Sequence, residues 1–328
     1  MTATSINIGD AAKTTWKDCT RFTETFCKVD DLALKCDILL PPGLKHGSHP
    51  MILTFHGGYL IAGARDHYPF LAKWLPGYAA LHSAMIISAD YRLLPSASAT
   101  EVCADLEELW TWVQSHLADR LAARAPGHAP DLTRVIVQGG SAGGFCAAQL
   151  ALSHPEAIRA ALLIYPMVHC TSTYLADGPP NSAAVAEKMQ LLTGEALESE
   201  IEIAMNQGWT VARHNAAGLK LTISIVKTGK YGAAFGSKAN DPIERVRTGD
   251  GHGLPAKVWI LHGQEDSGVP LQGSVDFAKE IERSPWDAEL VLDIVDDQPS
   301  EHGFDREWLA THEKLAPRLN WVAKTWLA

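Results

Sequence analysis

The sequence predicts an α/β protein with a mainly parallel eight-stranded sheet, helices on both faces and a helical cap. First, short apolar runs such as Val135–Val137 are rich in β-branched residues, which is typical of strands buried on both faces. Second, these runs alternate with stretches of helical period, as in sheets with parallel strands. Third, the alternation stops between residues 167 and 254, a segment too long for a plain connection, which predicts an inserted cap or lid.

Composition limits the classes of function. The chain has 328 residues, of which 46% are hydrophobic, so it can bury a large core. Its net charge is −10 and it has no block of Lys and Arg, which argues against nucleic acid as a partner. No apolar run approaches the length of a membrane span. The first twenty residues lack the pattern of a signal peptide, so we expect a cytoplasmic protein.

No motif in the chain predicts a cofactor or a metal. The six cysteines show no metal-ligand pairing such as Cys-x-x-Cys, and we expect reduced core thiols. Gly249-x-Gly251-x-Gly253 is preceded by no strand and followed by no helix, so it is a weak candidate for a phosphate-binding loop.

The first half of the chain supplies five strands. Phe22–Val29 and Leu32–Leu40 alternate in polarity around Asp30-Asp31, which predicts an antiparallel hairpin. The apolar runs Met51–Phe55, Met85–Asp90 and Val135–Val137 follow as buried strands. Helical stretches separate them: Tyr68–His82, which Pro76 should kink or split, and a helix capped by Thr100 that continues to Ala123.

The second half supplies three more strands and the cap. A helix from Phe145 to about His154 leads to the strand Ala160–Tyr165, and the last strands are Lys257–His262 and Glu289–Ile294. Helical segments are predicted at Ala183–Leu192, at Glu195–Asn206 and, finally, from Glu307 or Thr311 to Leu327. We therefore expect residues 20–166 and 255–328 to form the core, and residues 167–254, with 1–19, to form the cap.

Ser141 is the candidate nucleophile. It lies in Gly139-x-Ser141-x-Gly143, directly between a predicted strand and a predicted helix. Such a turn is so tight that side chains at the flanking glycine positions would clash, and it exposes the serine oxygen above the sheet.

An acid and a histidine are expected at the same edge of the sheet, where the carboxyl ends of parallel strands meet. A serine needs a base, and a carboxylate must orient the base. His302 is the one histidine in the loop after the last strand, with His312 its nearest competitor; Asp266 follows the seventh strand, with Glu265 as the weaker rival. Serine, acid and histidine in this chain order are typical of this kind of turn.

Two segments could bind an oxyanion. The backbone N–H of Ala142 directly follows the nucleophile, and the loop His56-Gly57-Gly58-Tyr59 follows the strand ending at Phe55. Preorganised N–H donors of this kind stabilise a tetrahedral intermediate.

Taken together, the motifs resemble those of α/β-hydrolases of the hormone-sensitive-lipase-like (α/β-hydrolase fold-3) esterase family. The resemblance spans roughly residues 22–166 and 255–328. The matching segments are Phe55–Tyr59, Asp90–Pro95, Gly139–Gly144, Asp266–Pro270 and His302–Phe304. The resemblance implies oxyanion donors at Gly58, Tyr59 and Ala142, with Gly57 giving the turn its freedom. It also implies a cap over the active site.

Three positions depart from the family pattern. Tyr59 stands where a third glycine is usual, Gly140 where an acidic residue precedes the serine, and Ser96 where a glutamate is usual. The Tyr59 ring either narrows the acyl site or turns into the core beneath the loop. The other two departures concern loop rigidity.

The predicted function is hydrolysis of a small-molecule carboxylic ester through a Ser141–His302–Asp266 triad and an acyl-enzyme. Thioester or amide hydrolysis, including product release from a biosynthetic assembly line, is the alternative. His56-Gly57-Gly58-Tyr59 is also similar to the His-Gly-Gly-x-Trp of kynurenine formamidases, although Leu60 replaces that tryptophan. A ligand-binding receptor on the same fold, as in gibberellin perception, is a third class; such receptors lose the triad histidine, which is present here.

Overall fold

Eight strands form one sheet in the computed structural model, which describes residues 8–328. The strands are β1 (Thr20–Val29), β2 (Leu32–Leu40), β3 (Gly47–Phe55), β4 (Met85–Ala89), β5 (His128–Gly140), β6 (Ile158–Ile164), β7 (Lys257–Gly263) and β8 (Glu289–Val295). Their order is β1-β2-β4-β3-β5-β6-β7-β8. Only β2 runs against its neighbours, and the other pairs are parallel. The predicted eight-stranded, mainly parallel sheet and the predicted hairpin are confirmed.

The register of the sheet aligns the carboxyl ends of its central strands. Phe55 at the end of β3 pairs with Gly139 near the end of β5, and Gly140 pairs with Ile164 at the end of β6. Gly263 at the end of β7 pairs with Val295 at the end of β8. The loops that follow these strands therefore leave the sheet along one edge.

Helices cover both faces of the sheet. Along β3, Met51 and Leu53 lie in a core cluster with the helices at 99–115 and 142–153, whereas Ile52 between them lies in a second cluster with the helices at 75–81 and 316–326. This alternation follows from the two-residue period of a strand. The α-helices of the described residues are α1 (Ile8–Ala11), α2 (Leu75–Leu81), α3 (Ala99–Ser115), α4 (Leu117–Arg124), α5 (Ala142–Ser153), α6 (Thr173–Ala176), α7 (Ser182–Lys188), α8 (Gly194–Asn206), α9 (Ala216–Lys227), α10 (Tyr231–Phe235), α11 (Pro242–Thr248), α12 (Leu271–Arg283) and α13 (Ala316–Trp326).

Several helix boundaries differ from the sequence prediction. The cap of α3 is Ser98 rather than Thr100, because the Ser98 hydroxyl accepts the N–H of Glu101 while the Glu101 carboxylate accepts the N–H of Ser98. The helix predicted to reach Ala123 is interrupted at His116, where α4 begins anew.

Proline sets two further boundaries. The stretch predicted as Tyr68–His82 is split, as expected, into a 3₁₀ turn at Tyr68–Phe70 and α2, which has Pro76 in its first turn. The last helix begins at Ala316, later than either predicted start, because Pro317 fits only in the first turn of a helix.

The segment 167–254 contains six helices, α6 to α11, and none of the eight sheet strands. It is joined to the loop after β3 by two backbone hydrogen bonds between Gly63 and Arg213, at 2.8 and 3.0 Å. The Arg213 guanidinium also donates to the carbonyls of Ile61 and Leu94. The predicted division into core and cap stays a prediction, and residues 1–7 of the predicted cap lie outside the described residues.

Candidate active site

Ser141 occupies a sharp turn between β5 and α5. Its φ of 58° and ψ of −123° are rare for a residue with a side chain. The flanking glycines are required by space: a Cβ on Gly139 would lie 2.0 Å from the Gly143 carbonyl oxygen, and a Cβ on Gly143 would lie 2.1 Å from that of Phe55. The strand–turn–helix sequence thus holds the serine in strained backbone at the carboxyl edge of the sheet.

His302 and Asp266 are in direct contact. The Nδ1 of His302 lies 2.8 Å from the Oδ2 of Asp266. Asp266 comes from the loop after β7 and His302 from the loop after β8, so the parallel register brings together two residues 36 positions apart. In this arrangement Nδ1–H donates to the carboxylate and leaves Nε2 as an acceptor.

Four groups hold the Asp266 carboxylate. Its Oδ1 accepts the backbone N–H groups of Gly268 and Val269, both at 2.8 Å, and its Oδ2 lies 3.4 Å from the Nε2 of buried His262. Burial alone would raise the pKa of Asp266, but the hydrogen bonds from His262 and His302 outweigh it and lower that pKa to about 2. Asp266 is therefore a carboxylate near neutral pH.

The competing acid and histidine lie elsewhere. The Glu265 carboxylate accepts the N–H of Ser300 at 3.1 Å, which joins two loops. His312, predicted to lie in a helix, lies before the start of α13 and stacks on Trp308 with ring centroids 3.9 Å apart. Neither of the two residues lines the cavity that contains Ser141.

Three backbone N–H groups meet the requirements for binding an oxyanion. Those of Gly58, Tyr59 and Ala142 donate to no protein acceptor within residues 8–328. Gly58 and Tyr59 have φ of 109° and 58°, an unusual backbone for tyrosine. Gly58 must be glycine, because a Cβ there would lie 2.2 Å from the carbonyl oxygen of Ala62.

The structural role of Gly57 differs from the one expected from the sequence. Its N–H donates to the carbonyl of Phe70 at 3.1 Å, so it is already used, and the positive φ values of the turn fall on Gly58, Tyr59 and Leu60. A Cβ on Gly57 would lie 3.4 Å from the Gly140 carbonyl oxygen and 3.5 Å from the Cβ of Ser141, which are ordinary van der Waals distances. Gly57 therefore contributes a backbone hydrogen bond, and the conformational freedom expected of it belongs to the residues that follow.

The Tyr59 ring both lines the cavity and packs against the segment 167–254. Its hydroxyl donates to the Gly268 carbonyl at 3.0 Å, and its ring meets Tyr231 of α10 edge to face. The ring is buried and also reaches the cavity wall, and its effect on the acyl site stays a prediction.

Gly140 leaves room for a ring that sequence reasoning missed. Tyr165, directly after β6, has its Cε2 only 3.2 Å from where a Cβ on Gly140 would lie. Its ring packs on His302 with centroids 4.6 Å apart, and its hydroxyl donates to buried Asp305 at 2.6 Å. Burial raises the pKa of Asp305. Tyr165 thus holds one side of the His302 ring.

The candidate residues share one cavity of about 430 Å³. Ser141, His302, Gly58 and Tyr59 line it, and the segment 167–254 contributes a further wall that includes Lys227. Ser141 and His302 are not joined by a hydrogen bond in the described part of the chain; such bonds often reach their working length only with substrate bound. The same part of the chain contains no cluster of three or more His, Cys, Asp or Glu side chains able to hold a metal.

Comparison with known proteins identifies relatives over most of the chain. Residues 52–220 match the family model described as the α/β hydrolase fold. "Probable carboxylesterase M8" of a Phoma species is 26% identical over 92% of this chain and 94% of its own. The non-reducing polyketide synthase pkbA of Emericella nidulans is 32% identical over 40% of this chain, which corresponds to 5% of the synthase.

Among solved structures, a protein of unknown function from Staphylococcus aureus covers 93% of this chain and 99% of its own with a TM-score of 0.67. At 17% identity this likeness concerns the fold alone. Within residues 8–328, no helix has both the length and the apolar character needed to cross a membrane. The predicted cytoplasmic location and lack of nucleic-acid binding stay predictions.

Proposed function

The chain belongs to the α/β hydrolase fold family, in its hormone-sensitive-lipase-like group, and we propose that it hydrolyses carboxylic esters through a Ser141–His302–Asp266 triad. The similarity to a probable carboxylesterase over nearly the whole of both chains supports ester hydrolysis. The observation that carries the triad is the 2.8 Å contact between His302 and Asp266 in the cavity that contains Ser141.

The first step forms a tetrahedral intermediate. The Ser141 oxygen attacks the ester carbonyl carbon while the Nε2 of His302 takes the hydroxyl proton. Asp266 accepts a hydrogen bond from Nδ1–H and stabilises the imidazolium that results. Because the carboxylate is held by two backbone N–H groups, it stays in place as the charge on His302 changes.

The oxyanion that develops on the carbonyl oxygen is bound by the N–H groups of Gly58, Tyr59 and Ala142. All three belong to backbone that is fixed before the substrate binds, so little reorganisation is needed at the moment of reaction. Loss of one such donor in other acyl-transfer enzymes costs about 10²–10³-fold in turnover.

The alcohol leaves first, and the acid is then released by water. His302 gives its proton to the leaving alcohol oxygen, and the carbon–oxygen bond of the ester breaks to leave the acyl group on Ser141. Water then attacks the acyl carbon as His302 takes its proton. The collapse of this second intermediate returns the proton to Ser141 and frees the carboxylic acid.

Ser141→Ala tests the proposal. The variant should fold normally and lose p-nitrophenyl ester hydrolysis about 10⁴-fold or more, and His302→Ala should lose a similar amount. The double variant should lose little beyond either single one, because members of a triad act as a unit. Retention of a tenth of the wild-type turnover by Ser141→Ala would end the serine-hydrolase proposal.

Thioester hydrolysis is a second candidate, favoured by the local similarity to a polyketide synthase. The same serine, base and oxyanion donors would release an acyl chain from sulfur instead of oxygen. A matched pair of substrates, an ester and a thioester of one acyl group, discriminates between the two. A kcat/KM at least tenfold higher for the thioester would favour acyl release over ester hydrolysis.

A further inference from the structure

A buried lysine from α9 lies at the wall of the active-site cavity. Lys227, the last residue of α9, is 9% exposed and lines the cavity together with Ser141 and His302. Its Nζ donates to the Ser267 carbonyl at 2.7 Å and to the Tyr174 hydroxyl at 3.0 Å. Neither acceptor carries a charge.

The charge of Lys227 is incompletely balanced. Within residues 8–328 its ammonium group forms no ion pair with a carboxylate, and two acceptors serve its three N–H donors. The Tyr174 ring, 5.1 Å away, and the carboxyl end of α9 compensate part of the charge. Lysines this deeply buried are rare without an acidic partner. An anionic group of a substrate in the cavity would supply such a partner.

The other charged groups of the cavity do not pair with Lys227; buried Asp305, for example, accepts the Tyr165 hydroxyl and the Trp74 indole N–H instead. Lys73 is paired with Glu307 at 2.5 Å and is thus neutralised locally. Arg306 has no carboxylate partner among the described residues. Of the acids, Glu301 accepts the backbone N–H groups of Ser267 and His302 rather than pairing with a cation.

Lys227 contacts the loop that carries Asp266. Its acceptor Ser267 directly follows Asp266 in the chain, and the next residue, Gly268, packs on His302 so closely that a Cβ would lie 2.8 Å from the ring. The guanidinium of Arg306 lies against Gly303, the residue after His302. Both cations therefore contact loops that carry a residue of the proposed triad.

We propose that the preferred substrate is an ester that carries a free carboxylate, and that the ammonium group of Lys227 binds this carboxylate. The inference rests on the proposed ester hydrolysis and narrows its substrate class. The competing possibility is that Lys227 has a purely structural role and only anchors α9 to the Ser267 loop.

Two matched substrate pairs test the inference. The acyl pair is p-nitrophenyl hemiglutarate and p-nitrophenyl pentanoate, which differ in a terminal carboxylate. The alcohol pair is p-carboxyphenyl acetate and p-carbamoylphenyl acetate. In one of the pairs, the wild type should have a higher kcat/KM for the anionic member. Lys227→Met should lower this preference about tenfold or more, because it removes one hydrogen bond between charged groups. Raising the salt concentration should lower it in the wild type.

Lys73→Met is the matched control, since it removes the same charge from a lysine of the same cavity that already has an acidic partner. It should change the preference less than about threefold, because its charge is already compensated. If Lys227→Met lowers kcat/KM for both members of each pair equally, Lys227 only anchors α9 to the Ser267 loop, and the inference is wrong.

Wild-type measurements decide the matter even if Lys227→Met fails to fold. Equal or lower kcat/KM for the anionic members of both pairs overturns the inference while neutral esters are still hydrolysed. If the wild type cleaves no ester in either pair, the proposed ester hydrolysis itself has failed, which is a different result.

Discussion

Replacing Asp266 by Asn should lower ester hydrolysis about 10⁴-fold while the protein stays folded. Oδ1 of Asp266 accepts two backbone N–H groups, from Gly268 and Val269, at 2.8 Å each. An asparagine that keeps its oxygen in this place must turn its NH₂ group toward the Nδ1 of His302. Nδ1 then has to accept a hydrogen bond, so the ring proton moves to Nε2, the atom that should take the proton of Ser141.

The structure also gives the cost of avoiding this arrangement. If the new asparagine amide flipped, its NH₂ group would face the N–H groups of Gly268 and Val269. Each of these buried donors would lose its acceptor at about 1–3 kcal/mol, or roughly 2–6 kcal/mol in all. The unflipped amide is therefore preferred, and the variant is held in the wrong tautomer. The expected loss of about 10⁴ corresponds to about 5.5 kcal/mol of transition-state stabilisation, the size found for the same change in serine proteases.

The assay is kcat/KM on p-nitrophenyl butyrate, with circular dichroism to check the fold. Glu265→Gln is the matched control, because Glu265 is the neighbouring carboxylate. Among residues 8–328 its side chain accepts a hydrogen bond from the Ser300 N–H alone, and an amide oxygen keeps this bond. It should lose less than about tenfold. A loss below about 100-fold in Asp266→Asn, or an equal loss in Glu265→Gln, would refute the reasoning about tautomers.

Two further predictions concern Tyr59 and acid stability. Tyr59→Gly should move the acyl preference toward longer chains by roughly tenfold in relative kcat/KM over a C2–C12 ester series, because the ring lines the cavity. Tyr59→Phe, which keeps the ring, should leave the profile in place, and an unchanged profile in Tyr59→Gly would contradict the acyl role. Because the pKa of Asp266 is lowered from 3.8 to about 2, ionised Asp266 stabilises the fold above about pH 4 and this contribution is lost as the pH falls toward 2. As the pH falls toward 2, the free energy of unfolding measured with urea should decrease by about 2 kcal/mol less in Asp266→Asn than in the wild type. Equal decreases in the two proteins would contradict this stabilising role of Asp266.

The sequence was sufficient to predict those features that depend on local backbone and on sheet direction. Gly139 and Gly143 indicate a strained turn, because a Cβ on either would meet backbone a few residues away or on the adjacent strand. A parallel sheet then brings its carboxyl ends to one edge, so Asp266 and His302 meet although the chain between them is long. The division between core and cap stays a prediction.

The features that sequence reasoning missed depend on contacts between distant elements. His262 holds Asp266 only because the loop after β7 folds back on its own strand, and a histidine at the end of a strand does not by itself indicate such a contact. Lys227 ends a helix of the segment without strands, where a lysine is expected at the surface. Similarly, the structural role of Gly57 depends on Phe70, whose carbonyl accepts a hydrogen bond from the Gly57 N–H.

Covalent trapping tests the central claim most directly, namely that Ser141 is a nucleophile activated by His302. The wild type is incubated with paraoxon, and the modified peptide is identified by mass spectrometry while residual ester hydrolysis is followed. We predict one diethylphosphoryl group per chain, on Ser141, with activity lost in proportion, much slower labelling of His302→Ala and none of Ser141→Ala. Modification of a different residue in step with the loss of activity, or full activity in a protein labelled at Ser141, would contradict the claim.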